Sequence, residues 1–359
     1  MGNRIEYIGF FNHTGYGVAG RNYVNALYHS GLCDIKISCL GVSYVDVIDK
    51  KEHKLFQSFL QKNKDRTRIQ IRHMIPNMQR NIASADKVIG MAIFETTNPP
   101  LNWIEILNKN NAVVVPSQFV YDEFLKAGIS VPLVLIPHCI DIDTYKPSVT
   151  PLCQRDKFTF LFVGRWHKRK GYRELLAAWV QEFHKKENIQ LIIKTDRIDL
   201  AKKYVKELYQ VAEEDCADII IEEIRYKSKD MPHFYRSVDC VISPTRGEGF
   251  GLVPLEAMAV GVPVIVTNYS GCTEYANEDT ATLLSPGSID IEVAMDGIPQ
   301  FVHKHWAKIS IEQIREKMRY AVTHTDIITK KAKFARQYIV NRFSYNVIAK
   351  KFNKLLNNL

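Results

Sequence analysis

The sequence predicts an α/β protein built from two doubly wound, Rossmann-like domains, and three observations lead there. Short apolar, β-branched runs alternate with longer segments of helical periodicity along most of the 359 residues. The runs lack strict polar alternation, which is the pattern of parallel strands buried on both faces beneath helices. The series breaks once, at the polar, proline-containing stretch TYKPSVTPLCQR, which divides the chain into two parts of similar size.

In the first part, Ile5 to Phe11 reads as a strand that leads through glycines into a helix. Ile35 to Leu40 reads as the next strand, and KVIGMAIF, AVVVPS and VLIPH as three more. The second part supplies FTFLFVG, IQLIIKT, DIIIEEI, DCVISPT, VPVIVTN and TATLLSP. The closing segment FSYNVIAKKFNKLLNNL has apolar residues at helical spacing and reads as a terminal amphipathic helix. The expected boundaries are an N-terminal domain of residues 1–143 completed by the helix 344–359, a linker of residues 144–156, and a C-terminal domain of residues 157–343. There is no internal repeat and no low-complexity segment.

A hydrophobic content of 46% with 24% charged residues is that of a soluble globular protein. No apolar run approaches the ~18 residues of a membrane span, and Met1-Gly2-Asn3-Arg4 enters a strand without a signal-peptide core, so a cytoplasmic location is expected. Glu6 stands where a myristoylation signal requires Ser or Thr. Seven cysteines with no C-x-x-C pair argue against a disulfide framework or a structural zinc site. The net charge of +9 is uneven: from Phe301 onward 13 Lys and Arg stand against 3 Asp and Glu, a balance of +10, which leaves −1 for residues 1–300. The basic residues show none of the aromatic interleaving or module signatures of nucleic-acid binding, so no nucleic-acid partner is expected. Two readings of that segment stay open, a solvated helical face and peripheral attraction to an anionic membrane at its inner face.

The run Gly15-Tyr16-Gly17-Val18-Ala19-Gly20 has the spacing G-x-G-x-x-G. A dinucleotide fingerprint also needs the strand to feed directly into the turn and an acidic residue about 20 positions on. Here Asn12, His13 and Thr14 intervene, and the next strand ends in SCLGVS without a carboxylate. What remains is a glycine turn at a helix N-terminus, either an anion site or a tight turn without a ligand.

In LFVGRWHKRKGYRELLAAW, Gly164-Arg165 closes a strand and Lys170-Gly171 precedes a helix. Arg165 offers a planar fork of donors and Lys170 a compact charge, a combination suited to a diphosphate; surface cations on a turn are the alternative. Lys168 and Arg169 read as solvated neighbours. In SPTRGEGFGLVPLEAMAVGVPVIVTNYSGCTEY, a glycine-rich loop follows a strand, and a helix begins near Leu252 with Pro254 in its first turn, where proline is tolerated. Glu248 lies in the loop and Glu256 eight residues on, so both carboxylates can face one crevice. Each can accept two hydroxyls, which suits a sugar for Glu248 and a ribose for Glu256, while the N–H groups of Gly249, Phe250, Gly251 and Leu252 face a phosphate at the helix start.

These residues resemble the signature of retaining glycosyltransferases of family 4 (group 1), which have the GT-B fold. Glu248 and Glu256 match the E-x7-E motif, and Gly164-Arg165 with Lys170-Gly171 match G-R-x4-K-G. The resemblance implies two Rossmann-like domains about a deep interdomain cleft, with a C-terminal helix returning to the N-terminal domain. It also implies that Arg165 and Lys170 bind a donor diphosphate, that Glu248 contacts the transferred sugar, and that Glu256 holds the nucleotide ribose. DMPHFYRSVDCVISPTRGEGFG and the SGCTEY turn fall where the family has them, and FETTNPPLNWIEILNKNNAVVVPSQF resembles a subgroup with an E-x-x-x-x-P-x-x-W segment. IPHCID stands near the usual P-x-G-V-D, with Cys139 in place of the glycine. In such a fold Gly15, Tyr16 and Gly17 close over donor phosphates or acceptor, which removes NAD from the reading.

The expected function is transfer of a sugar from a nucleotide diphosphate sugar to a hydroxyl of a glycan, glycolipid or protein-linked acceptor, with retained configuration. No cofactor and no metal are expected, because Arg165, Lys170 and a helix N-terminus can neutralise the leaving group. His13 and Glu95 are candidates for acceptor contact or proton handling. A sugar-nucleotide epimerase and a catalytically silent nucleotide-sugar-binding subunit are the alternatives on the same fold.

Overall fold

A computed structural model of the chain describes all residues except 1–2, 32, 42–47, 61–67, 84, 213–214 and 293–303. The chain divides into two compact units: unit 1 is Met1–Ile142, Lys227–Lys229 and Val340–Leu359, and unit 2 is Asp143–Tyr226 and Asp230–Ile339.

Unit 1 runs β1 (Asn3–Gly9), α1 (Gly15–His29), β2 (Cys33–Cys39), α2 (Lys50–Leu60), β3 (Ile69–His73), β4 (Lys87–Met91), α3 (Leu101–Leu107), β5 (Ala112–Val115), α4 (Gln118–Lys126) and β6 (Leu133–Leu135). Its six strands pair in parallel in the order β2-β1-β3-β4-β5-β6. Strand β3 is absent from the apolar runs because its sequence, IQIRH, carries three polar residues, yet all five positions are buried. Those side chains are satisfied laterally: Gln70 donates to Glu6 at 3.0 Å, Arg72 donates to Gln70 and to the Ala83 carbonyl, and His73 pairs with the Tyr7 hydroxyl at 2.7 Å.

Unit 2 runs β7 (Phe158–Val163), α5 (Tyr172–Glu182), β8 (Ile189–Lys194), α6 (Ile198–Val211), β9 (Asp218–Glu222), α7 (Met231–Tyr235), β10 (Cys240–Ser243), α8 (Leu252–Ala259), β11 (Val264–Thr267), β12 (Thr282–Leu284), β13 (Ser288–Glu292), β14 (Lys304–Lys308), α9 (Ile311–Thr323) and α10 (Thr325–Phe343), within which the unit boundary falls. Six strands form a second parallel sheet, β12-β11-β10-β7-β8-β9. β13 and β14 form an antiparallel pair that the apolar runs do not announce. The core between sheet and helices is centred on Trp179, Phe160 and Phe183, and the Trp179 indole donates to the Ala217 carbonyl at 3.0 Å. Residues 144–156, expected as a linker, are bonded to unit 2: the Leu152 amide donates to the Ser237 hydroxyl at 2.8 Å, and the His233 ring bonds the Thr150 carbonyl.

The last helix, α11 (Tyr345–Asn357), belongs to unit 1. Its stripe Ile348, Ala349, Phe352, Leu355 and Leu356 is buried; Phe352 meets Tyr23 of α1 edge-on, and the Tyr345 hydroxyl donates to Asn22. Among the described residues no helix is long and apolar enough to cross a membrane, and the six cysteines with described side chains are free.

Candidate active site

Strands β7 and β10 are neighbours, and the chain leaves them in opposite directions, towards β8 and β9 on one side and β11 and β12 on the other. Their carboxyl ends therefore form the topological switch point of unit 2, where parallel α/β sheets bind ligands. Both motifs sit there. Gly164 follows β7, and the stem of Lys170 passes over it: a Cβ at Gly164 would lie 3.4 Å from Lys170 Cγ. Residues Lys168–Lys170 form a single 3₁₀ turn closed by Gly171 at φ +72°. A side chain at Gly171 would also overlap the Pro244 carbonyl oxygen, so only glycine lets the two loops touch.

The second loop leaves β10 at Ser243, and Glu248 is its buried centre. Lys170 Nζ donates to Oε1 at 2.5 Å, Thr245 Oγ1 donates to the same oxygen at 2.9 Å, and Arg169 Nη1 lies 3.0 Å from Oε2. Burial by itself would raise the Glu248 pKa, but Lys170 and then Arg169 outweigh it and hold the carboxyl down at about 2. The main chain is fixed as well: the Glu248 amide donates to Ser270 Oγ at 2.8 Å, and the Gly271 amide donates to the Glu248 carbonyl at 2.8 Å.

Gly249 packs so tightly on Gly271 that a side chain there would overlap the Gly249 backbone. Phe250 is buried with its ring 5.4 Å from that of Tyr275, whose hydroxyl donates to the Gly251 carbonyl at 2.6 Å. Gly251, at φ +90°, precedes Leu252 and the first turn of α8, which no side chain caps. Glu256 is half-buried on α8 and accepts a hydrogen bond from the buried Tyr235 hydroxyl at 2.7 Å.

One expectation needs correcting. Arg169 is not a solvated neighbour: its side chain is 12% exposed, and Nη1 also donates to the Gly247 carbonyl at 2.6 Å. A 3₁₀ turn, with three residues per revolution, sends Arg169 and Lys170 to the same carboxylate from two directions, which a sequence spacing does not reveal. Arg165 does not join that cluster. It is 71% exposed and bonded to Asp196 beyond β8 at 3.3 Å. Thr245 and Ser270 are the other site residues the motifs did not single out.

In unit 1 the glycine run is the first turn of α1 and not a loop before it. Thr14 caps the helix by accepting from the Gly17 amide at 3.3 Å. A Cβ on Gly17 would overlap the Asn12 backbone and one on Gly20 would lie 2.6 Å from the Phe10 carbonyl, so these two glycines serve close helix packing. Gly15 faces open space and His13 is exposed on the preceding turn. Tyr16 packs against His73 with ring centroids 5.2 Å apart and donates weakly to the Ile93 carbonyl at 3.4 Å. Burial, and then the charge of Glu95, raise the Tyr16 pKa, so Glu95 and Tyr16 share one neighbourhood. His73 is fully buried, and its Nε2 has no hydrogen-bond partner among the described residues. No group of three or more His, Cys, Asp or Glu among the described residues could hold a metal ion.

Two parallel six-stranded sheets flanked by helices, one carrying this loop pair at its switch point, define a GT-B protein. Residues 151–324 match the family of glycosyl transferases group 1. The fold is shared with Anabaena HepE, solved in complex with UDP and glucose (TM-score 0.69, 16% identity, 99% of this chain and 100% of that one). It is also shared with sucrose-phosphate synthase of Thermosynechococcus elongatus (TM-score 0.71, 15% identity, 99% and 98%). In sequence the chain is similar to a lipopolysaccharide 1,2-N-acetylglucosaminetransferase of Salmonella typhimurium, 25% identical over 71% of this chain and 64% of that one. It is similar also to the capsular polysaccharide biosynthesis glycosyltransferase CapM of Staphylococcus aureus, 24% identical over 56% and 46%. The chain thus spans less than two thirds of the length of these relatives.

Proposed function

We propose that this protein is a retaining glycosyltransferase of glycan assembly that moves a sugar from a nucleotide diphosphate sugar to an acceptor hydroxyl without a metal ion. The observation that carries the proposal is the Glu248 cluster: an ionised carboxylate held by Lys170 and Arg169 in a glycine loop at the switch point, with Glu256 eight residues on. A carboxylate kept charged can accept two hydroxyls of a transferred sugar, and Glu256 can do the same for a ribose. The bond between the anomeric carbon and the diphosphate oxygen breaks with its electrons going to the phosphate. Lys170, Arg165 and the uncapped N-terminus of α8 are the groups that would stabilise that charge. The acceptor oxygen bonds the same face of the sugar and gives up its proton. Tyr16, Glu95 and His13 of unit 1 are the proposed acceptor contacts, with Glu95 and His13 the candidates for handling that proton.

The relatives act in lipopolysaccharide and capsular polysaccharide synthesis, and a glycan or glycolipid acceptor is proposed by analogy. Thermal-shift measurements with UDP, GDP, ADP and their common sugars identify the donor, since a ligand at 100 times its Kd adds about 2.7 kcal/mol. Stabilisation by none of them contradicts the proposal.

A further inference from the structure

The two cations on Glu248 are held differently. Arg169 is fixed on two sides: Nη1 donates to the Gly247 carbonyl at 2.6 Å, and its own carbonyl accepts from the Arg246 amide at 2.6 Å. Lys170 reaches Glu248 along a flexible stem over Gly164, and among the described residues Glu248 is the one group its Nζ bonds. Removing Lys170 would leave Glu248 with Arg169 on Oε2 and the Thr245 hydroxyl on Oε1. The carboxylate cannot follow a departing Lys170, because its backbone amide and carbonyl are tied to Ser270 and Gly271.

We propose that Glu248 is a resting-state decoy for Lys170: the diphosphate of the donor competes with Glu248 for this cation, and Arg169 keeps Glu248 in place when Lys170 leaves. This rests on the glycosyltransferase reading of the site. The exchange is a matter of charge. An ammonium on a four-carbon stem is a mobile point charge, whereas a guanidinium bonded to a main-chain carbonyl is a fixed fork. Before a donor binds, one carboxylate and two cations leave a local charge of +1. A diphosphate entering at the strand end gains Lys170 only by taking it from Glu248, so part of its intrinsic affinity is spent on the exchange. The carboxylate freed of Lys170 then has an open lone pair on Oε1, available to a sugar hydroxyl only once the diphosphate is in place. Arg169 is thus a positioning residue, acting on the sugar through Glu248.

Titration calorimetry with inorganic pyrophosphate tests the exchange. The isosteric Glu248→Gln variant should bind pyrophosphate about tenfold tighter than the wild type, the scale of one charge-assisted hydrogen bond freed from competition. Glu248→Asp, which draws the charge back by one methylene, should show the same sign on a smaller scale and serves if the glutamine variant folds poorly. The gain should vanish when Lys170→Met is added. Arg169→Met should leave pyrophosphate affinity within about twofold while lowering kcat for donor turnover, and Arg169→Lys should restore part of kcat; a purely structural role would move both quantities together and show no rescue. Equal or weaker pyrophosphate binding by both Glu248 variants, a gain that persists without Lys170, or no binding by any variant overturns the proposal. Turnover of a nucleotide sugar by the wild type is measured alongside. Turnover without the affinity gain rejects the exchange alone, and the gain without turnover rejects the transferase reading alone.

Discussion

Ser270, at φ +57°, accepts a hydrogen bond from the buried Glu248 amide at 2.8 Å. A non-glycine residue in the left-handed region is strained, and here the strain buys the only fixed acceptor recorded for that amide among the described residues. Ser270→Ala keeps the strain and orphans the amide, which should cost about 1–3 kcal/mol. Ser270→Gly loses the same bond but relieves the backbone, so it should be the more stable of the two variants. Both should lower kcat, since Glu248 loses a support. Urea melts and turnover of the two variants check this; a Ser270→Ala protein as stable as the wild type would show the contact to be dispensable.

The two glutamates should separate kinetically. Glu248→Ala should lower kcat by about 100-fold or more, as other preorganised polar groups do, with the larger effect on the chemical step. Glu256→Ala should mainly raise the KM for donor, because its proposed ribose contact is made in the ground state as well. Near-normal turnover by the Glu248 variant at saturating donor would remove that residue from catalysis.

Much of unit 2 was legible because its strands are continuous apolar runs and its loops carry glycines at positions where the structure admits no side chain, as at Gly171 and Gly251. Unit 1 was less so. β3 hides its buried face behind Gln70, Arg72 and His73, whose cost of burial is met by partners on other strands, a long-range fact that periodicity does not contain. The inward turn of Arg169 and the outward turn of Arg165 were equally illegible: both are arginines in one short loop, and their directions follow from Glu248 and Asp196, which lie 79 and 31 residues away in sequence.

Burial lowers the His73 pKa to about 3 and pushes that of His138 well below its usual value as well. Both rings are therefore neutral in the folded protein. The unfolded chain takes up their protons below about pH 6.5, so stability is fully present above that pH and falls as the pH drops towards 3. His73 should contribute a slope approaching about 1.4 kcal/mol per pH unit in that window. Replacing His73 by Phe should flatten the dependence between pH 6 and 4 in urea titrations. An unchanged slope would mean that His73 keeps its proton in the folded state.

Lys330, Lys333, Lys350, Lys351 and Lys354 are exposed on α10 and α11. If the acceptor is carried on a membrane, these cations should draw the protein to anionic vesicles, each adding up to about 1 kcal/mol. The attraction should disappear near 1 M ionic strength, where screening shortens to about 3 Å. Sedimentation that does not distinguish anionic from neutral vesicles at low salt would assign the lysines to solvation alone.

The most direct measurement follows the sugar itself. Incubated in excess EDTA with each common nucleotide sugar and no acceptor, the protein should slowly hydrolyse one of them. Proton NMR recorded before mutarotation should then show the donor's own anomer as the first product, with the signal lost in Glu248→Ala. Release of the opposite anomer, turnover that appears only when Mg²⁺ or Mn²⁺ is restored, or hydrolysis of no donor at all would contradict a metal-independent, retaining glycosyl transfer at Glu248.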